Sequence, residues 1–420
     1  MKPVQDPIVP DFVTRLQKID TYSEIEEIMR SSDFAMAGAA ERTIFLEDTL
    51  IMSEGKRHTE LKQLFAPLMS RQAMAYYELH LVEPTIRDVI AEMAATRGPD
   101  GLVRMDVVKL IHAVLTRISA RVTGVDGVDT PERTERFRSL VLILSAATTA
   151  SYSSPEPARM IQLGREALTT LVAEFLQASL DRRADLVRRP RSGEVALEDL
   201  PRDMLTAMCL ADDLSRDDDG QKIPYVWRQC ALFLTGSIKT TSHSLPHVLF
   251  HIDEWIKDHP GEEAKLTDTD WLHRATAEAL RLHQTTPARF RAAVREVTLS
   301  TGRKVGAGEM VALHAPIANV STEVFGADAR YFNPDREVPE GMAGWGMTFG
   351  LGPHSCLGRN LVTGIMNKGD DKHGTHGTAV RVLKALYELG GELDPEAPPQ
   401  RPHGSLHDTW ESMPMILRKV

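Results

Sequence analysis

Cysteine is nearly absent from this chain: Cys209, Cys230 and Cys356 are the only three among 420 residues. So sparse and odd a count, with no C-x-x-C pair, argues against a disulfide scaffold and a structural zinc site, and it fits a reducing compartment. Aromatic residues are few, at 6%. No stretch approaches the roughly 18 to 20 unbroken apolar residues of a membrane span. The richest apolar run, 140–147, is far shorter. The opening MKPVQDPIVPDFVTRLQ lacks the apolar centre of a signal peptide. These absences predict a soluble, cytoplasmic protein without a membrane anchor. Basic charge is also short, with 49 Lys and Arg against 59 Asp and Glu and a net charge of −10. Nucleic-acid binding, which depends on neutralising phosphates, is disfavoured. Small-molecule chemistry and a basic docking partner remain compatible.

What is present is ample core material, 42% hydrophobic against 26% charged, which excludes global disorder. Apolar residues recur at spacings of three and four over 22–31, 61–81, 84–96, 102–123, 140–151, 156–188 and 200–214. The longest helical candidate is 224–258, with Pro246 expected to kink or end it. After Arg281 the pattern turns to β-type alternation at 294–299, Val305 and 310–313, with 413–417 as a closing strand. The fold class is mainly α with a smaller β region, read as a single domain over 1–420. Two polar segments, 215–221 and 367–378, read as loops; His373 and His376 in the second read as loop residues, not metal ligands.

The segment FGLGPHSCLG, 349–358, carries the most chemistry. Gly350, Gly352 and Gly358 allow tight turns and close approach of backbone to a ligand. Cys356 stands just before a helical stretch, where free amides favour the thiolate. The spacing Phe349, Gly352, His354, Cys356, Gly358 resembles the haem-binding loop of the cytochrome P450 family, with every defining position filled. The resemblance implies the family's haem-thiolate fold, one b-type haem, and Cys356 as its axial ligand, with Phe349 and Gly350 beside the sulfur. Glu278 and Arg281 in TAEALRLH resemble its E-x-x-R pair, and Arg336 in YFNPDR its later arginine; all three are structural on this reading. His58 and Lys62 resemble an H-x-x-x-R motif with Lys replacing Arg. With Arg291 and His354 they are expected to hold the haem carboxylates.

TGSIKTTSH, 235–243, resembles the oxygen-activating turn of the family's long helix. Gly236 takes the small-residue place and Thr240, with Thr241 beside it, the threonine place. Lys239 stands where an acid is usual, a departure that bears on proton delivery. By family position, Phe233, Leu234, Ile238, His243, Thr286, Arg289 and Trp410 are substrate contacts. Lys239, Arg289 and His243 would suit an acidic substrate. The implied activity is monooxygenation of a small organic molecule, by hydroxylation or epoxidation, in a secondary-metabolism setting. NAD(P)H would supply electrons through a ferredoxin or flavodoxin and its reductase, to a monomer. Two rivals stand beside it. One is a haem-thiolate enzyme with peroxide-driven, nitric-oxide-reducing, dehydrating or coupling chemistry. The other is a helical binding protein without haem. The N-terminal part is short for the family, and 367–378 interrupts the helix that follows the cysteine.

Overall fold

The computed structural model describes residues 2–7, 13–38, 40–95, 97–192, 196, 199–214, 222–366, 374–402 and 408–419. The chain forms two compact units. One comprises Met1–Ala37, Glu78–Ile111 and Thr240–Val420; the other comprises Gly38–Tyr77 and His112–Lys239.

The first unit holds every strand of the described residues. These are β1 Gln17–Ile19, β2 Phe34–Met36, β3 Val103–Asp106, β4 Arg289–Ala293, β5 Val297–Thr298, β6 Lys304–Val305, β7 Met310–Leu313, β8 Glu392–Leu393 and β9 Pro414–Leu417. One sheet runs β1-β7-β4-β2, a second β3-β9-β8, and β5 pairs with β6. Within the first sheet β1 and β7 are parallel and the other pairings antiparallel. Alternation places Ile19, Phe34, Val311 and Leu313 in a core with Ile25, Ile28 and Met347. The expected strand 294–299 is formed in part, as β5 at Val297–Thr298 paired with Val305 and Lys304, while a longer ladder, β4, precedes it at 289–293.

The second unit is helical. Pro131–Ala147 starts earlier than its apolar pattern because the Thr130 hydroxyl accepts from the Arg133 amide at 3.3 Å. It crosses Pro157–Leu171 at Gly164, where a Cβ would stand 2.2 Å from that of Ala147, so only glycine permits the approach. The 156–188 stretch is two helices, the second Gln177–Ser192, joined through a wider turn at Val172–Leu176. The 61–81 stretch is also broken. Gly55–Phe65 ends in a tighter turn, Ala66–Met69, that contains Pro67. The expected 200–214 helix shortens to Met204–Leu210, capped by Asp203, which accepts from the Thr206 amide at 2.7 Å.

Two further expectations are corrected. The 102–123 stretch opens as β3 and becomes helix only at Val107–Thr123. Asp106 makes the switch, because its carboxylate accepts from the amides of Val108 at 2.9 Å and Met413 at 3.0 Å. Pro246 does not end the long helix, which runs Tyr225–Asp258. Burial of Leu245, His247, Val248, Leu249 and Ile252 around it outweighs the one backbone bond a proline forfeits. No helix among the described residues is long and apolar enough to cross a membrane.

Candidate active site

Cys356 lies between two turns and a short helix, Arg359–Thr363. Its amide donates to the Phe349 carbonyl at 2.7 Å, which folds the loop back on itself. Gly350 and Gly352 have φ of 67° and 69°, left-handed values that side chains rarely adopt. At Gly352 a Cβ would also stand 2.5 Å from the Met29 carbonyl, so the spacing of glycines has a steric cause. Phe349 packs edge-on against Trp345 at 5.7 Å, and the Arg359 guanidinium lies over Trp345 at 5.8 Å.

The sulfur is exposed to solvent, yet burial among surrounding groups raises its thiol pKa. It therefore sits on the floor of a recess and not on a convex surface. The amides of Gly358 and Arg359 and the guanidiniums of Arg289 and Arg359 all favour the thiolate against that burial. A Cβ at Gly358 would meet nothing within 4 Å, so the recess is open beside the sulfur. Arg289 and Arg291 are two residues apart on β4 and share a face. Arg289 donates to the Thr348 carbonyl at 2.6 Å and to Gln284 at 3.3 Å. Burial first, then repulsion from Arg291, brings its pKa down to about 10. Arg291 is buried and donates to the Phe290 carbonyl at 2.9 Å, and two guanidiniums close enough to repel each other favour an anionic neighbour. A porphyrin iron with two carboxylates fits this donor set. His354 is on the same loop, half-buried.

Behind the loop, Glu278 and Arg281 on helix Thr269–Leu282 make two 2.7 Å bonds. Arg336 adds a third to Glu278 at 3.0 Å. Arg281, fully buried, also donates to the carbonyls of Asn319 and Ala329, and Arg336 to those of Phe325, Asp328 and Tyr331. The three residues come together, and their charge is spent on fixing backbone and, through Arg336, on the Asp328 carboxylate at 2.6 Å.

The long helix carries the other expected residues. A Cβ at Gly236 would meet nothing within 4 Å, so that turn faces open space. Thr240 is exposed and Thr241 and His243 half-buried. The Lys239 ammonium is disfavoured by burial, which lowers its pKa. Leu234 and Ile238 are buried, and Phe233 packs edge-on against Phe65 at 5.0 Å. His58, buried, and Lys62, half-buried, are one turn apart on Gly55–Phe65. Thr286 is exposed before β4. Trp410 is buried against His247 and Phe250.

The expected loop 367–378 lies partly outside the described residues. Its end is ordered otherwise than expected: Thr375 pairs with Ile365, and the helix resumes at Gly377–Glu388. Glu78 anchors that restart, accepting from the amides of His376 at 2.7 Å and Gly377 at 3.0 Å and from Arg381. The expected loop 215–221 lies outside the described residues. Sequence reasoning missed Glu78, since no local pattern ties it to residue 377. It also missed His247, His251, His283 and Asp408, whose grouping is described below.

A family model, Cytochrome P450, matches residues 17–367. The chain belongs to the cytochrome P450 family, a class of haem-dependent oxidoreductases, and that membership implies a haem iron. It is 30% identical over 205 residues to CYP13A2 of Caenorhabditis elegans, covering 45% of this chain and 37% of that relative. It is 30% identical over 108 residues to the monooxygenase sphH of Aspergillus fumigatus, covering 24% and 20%. The matches thus span well under half the length of these curated relatives. Among solved structures, CYP109E1 of Bacillus megaterium, in complex with testosterone, aligns at TM-score 0.65 and 17% identity, covering 100% of this chain and 96% of that one. CalO2 aligns at TM-score 0.69 and 17% identity, covering 99% and 94%. At such identities these likenesses show the fold.

Proposed function

We propose that this chain is a haem-thiolate monooxygenase that inserts one oxygen atom from dioxygen into a small organic substrate, by hydroxylation or epoxidation. The observation that carries the reading is the Cys356 loop, folded back by the bond of the Cys356 amide to the Phe349 carbonyl and turned at Gly350 and Gly352, with Arg289 and Arg359 favouring its thiolate. Cys356 would ligate the haem iron through its sulfur. Arg291 and His354, with His58 and Lys62, would hold the haem carboxylates. Phe349, Gly350 and Gly358 would lie against the ring. A bound haem supplies the oxygen activation, and a thiolate ligand favours O–O cleavage.

The chain's own groups then do the rest. The amides of Gly358 and Arg359 temper the charge on sulfur. The open turn at Gly236 leaves room for a small ligand, and the hydroxyl of Thr240, beside Thr241, would hold water and pass protons. Phe233, Leu234, Ile238, His243, Thr286, Arg289 and Trp410 would contact substrate. Electrons would come from NAD(P)H through a ferredoxin or flavodoxin and its reductase, in a cytoplasmic monomer. Structural relatives such as HmtT, involved in himastatin biosynthesis, support a place in secondary metabolism.

One observation favours a second reading. Lys239, where an acid is usual, is disfavoured as a cation by burial, so it relays protons differently from a carboxylate. Peroxide-driven, nitric-oxide-reducing, dehydrating or coupling chemistry on the same haem would follow. Turnover with a reconstituted redox chain under labelled dioxygen decides between them. Monooxygenation predicts one labelled oxygen per product; unlabelled product formed without electrons overturns it.

A further inference from the structure

Within the first unit, four side chains outside the Cys356 site converge. His247 and His251 stand one turn apart on the long helix, His283 ends helix Thr269–Leu282, and Asp408 precedes β9. The three histidines are buried, while the Asp408 side chain is 37% exposed. Their hydrogen bonds fix their protons. The Trp410 indole can only donate, and it lies 3.2 Å from His247 Nδ1, so Nδ1 accepts. The His247 proton is therefore on Nε2, which donates to the Asp408 carbonyl at 3.2 Å. His283 Nδ1 lies 2.5 Å from Asp408 Oδ2. An ionised carboxylate only accepts, so His283 carries its proton on Nδ1. In the neutral ring His283 Nε2 is then a lone pair, which accepts from His251 Nε2 at 2.7 Å. One set of tautomers with three neutral imidazoles satisfies every one of these bonds. Burial, which holds His247 and His251 well below their ordinary pKa, agrees with it.

His247, His283 and Asp408 also have donor atoms within 4.8 Å of one another, a spacing that would admit a cation. The proton positions argue against one. Both rings turn an N–H towards Asp408, not a lone pair, and they stack at 3.8 Å and 7°, so no ion could lie in both ring planes.

What the array does hold is Trp410. Its indole bonds His247, its ring packs on Phe250 at 4.7 Å, and the Arg401 guanidinium covers it at 4.2 Å while pairing with Asp408. We propose that His247, His251, His283 and Asp408 form a proton-sensitive latch that positions Trp410 and so shapes the space available to a substrate. This rests on the reading of Trp410 as a substrate contact. The histidines are positioning residues. A first added proton can be shared: His283 donates from both nitrogens, to Asp408 and to His251, whose own proton moves to Nδ1. A second cannot. Two imidazolium rings would face each other donor to donor across the 2.7 Å His251–His283 bond, and a proton on His247 Nδ1 would oppose the indole N–H. The charged groups facing the array, Asp408 and Arg401, divide: the carboxylate draws protons in and the guanidinium repels them. Acidification therefore releases Trp410.

Optical titration of the ferric holoprotein with imidazole and with 1-phenylimidazole tests this between pH 8 and pH 5. Both are iron ligands, and with Trp410 as a substrate contact only the larger would need the room it bounds. At pH 8, H247L and W410A should each change the 1-phenylimidazole Kd by roughly threefold or more, the effect of losing one buried hydrogen bond or more, with imidazole unchanged. H247Q, whose amide oxygen can accept from the indole, should behave as wild type. The wild-type ratio of the two constants should change on acidification, and D408N should move that change to lower pH. In parallel, the 5-fluorotryptophan resonance of Trp410, assigned with W410F, should shift over the same pH range. A pH-independent ratio with an unmoved resonance overturns the latch, as does H247L matching wild type at every pH. A protein without a haem-thiolate spectrum would overturn the parent reading instead, and the resonance, which needs no haem, then decides the latch alone.

Discussion

Two carboxylates of the first unit, Glu278 and Asp408, each face groups that can carry positive charge, and they use them in opposite ways. Glu278 is buried and meets Arg281 and Arg336, cations at any working pH. Their remaining donors fall on main-chain carbonyls and on the Asp328 carboxylate, which Arg336 holds ionised, so the network is closed and insensitive to protons near neutral pH. Asp408 is partly exposed and meets His283 and His247, and burial holds His247 well below its ordinary pKa. Its network is satisfied at one proton count and strained at another. The first fixes a framework; the second can respond. The difference lies in the cation chosen, since a guanidinium cannot shed its proton and an imidazole near its pKa can.

The largest expected effect strikes the closed network. R281L leaves Glu278 buried without its main partner, and breaking such a pair costs about 3–5 kcal/mol. Chemical denaturation should show a loss of that size, with little holoprotein recovered; a variant within about 1 kcal/mol of wild type would mean that the network is dispensable. Next come the glycines of the cysteine loop. G352A adds a clash with the Met29 carbonyl to a left-handed φ, whereas G350A meets nothing nearer than 3.5 Å. Thermal melts should place G352A well below G350A, whose backbone strain alone costs about 1–2 kcal/mol. Equal melting temperatures would remove the steric account of the motif.

The open network predicts a pH dependence. His247 and His251 have folded pKa values below the unfolded value of about 6.5. The unfolded chain thus binds protons that the folded chain refuses, and stability is lost as pH falls below about 6.5. The Asp408 carboxyl, whose charged form is favoured by His283, His247 and Arg401 against the cost of burial, has a depressed pKa. Its contribution is present above about 3.9 and is lost on further acidification, in the same direction. Denaturant midpoints measured from pH 7 to pH 5 should fall, and the slope should flatten in the H247Q/H251Q double variant. An unchanged slope would show that these histidines titrate normally. The smallest effect is expected at Lys239. Burial already disfavours its charge, so K239M should alter stability by less than about 1 kcal/mol; a larger loss would give this lysine a structural partner of weight.

The same contrast explains what could be read from sequence. Glu278 and Arg281 lie three apart on one helix, and Arg336 falls in a short motif, so their convergence was legible as a pattern. The cysteine loop was legible because its spacing matches that of a family; the left-handed φ of Gly350 and Gly352 is a local demand, but the Met29 carbonyl that excludes a side chain at Gly352 is not. The histidine array was not, because residues 247, 251, 283 and 408 meet only through tertiary packing, and each alone reads as a core or surface histidine or an ordinary acid. Helix boundaries failed for a related reason. Asp106 ends a strand and opens a helix by bonding to Met413, and apolar spacing carries no trace of a partner so distant. Of the two outcomes expected at Pro246, a helix end did not occur, because local propensity yields where both flanks are buried.

The central claim is that Cys356 ligates a haem iron as a thiolate. The absorption spectrum of the dithionite-reduced protein under carbon monoxide tests it most directly, with C356A alongside. The account predicts a strongly red-shifted Soret band in the wild type and its loss in the variant. An unshifted band in the wild type, or a shifted one that survives in C356A, would contradict it.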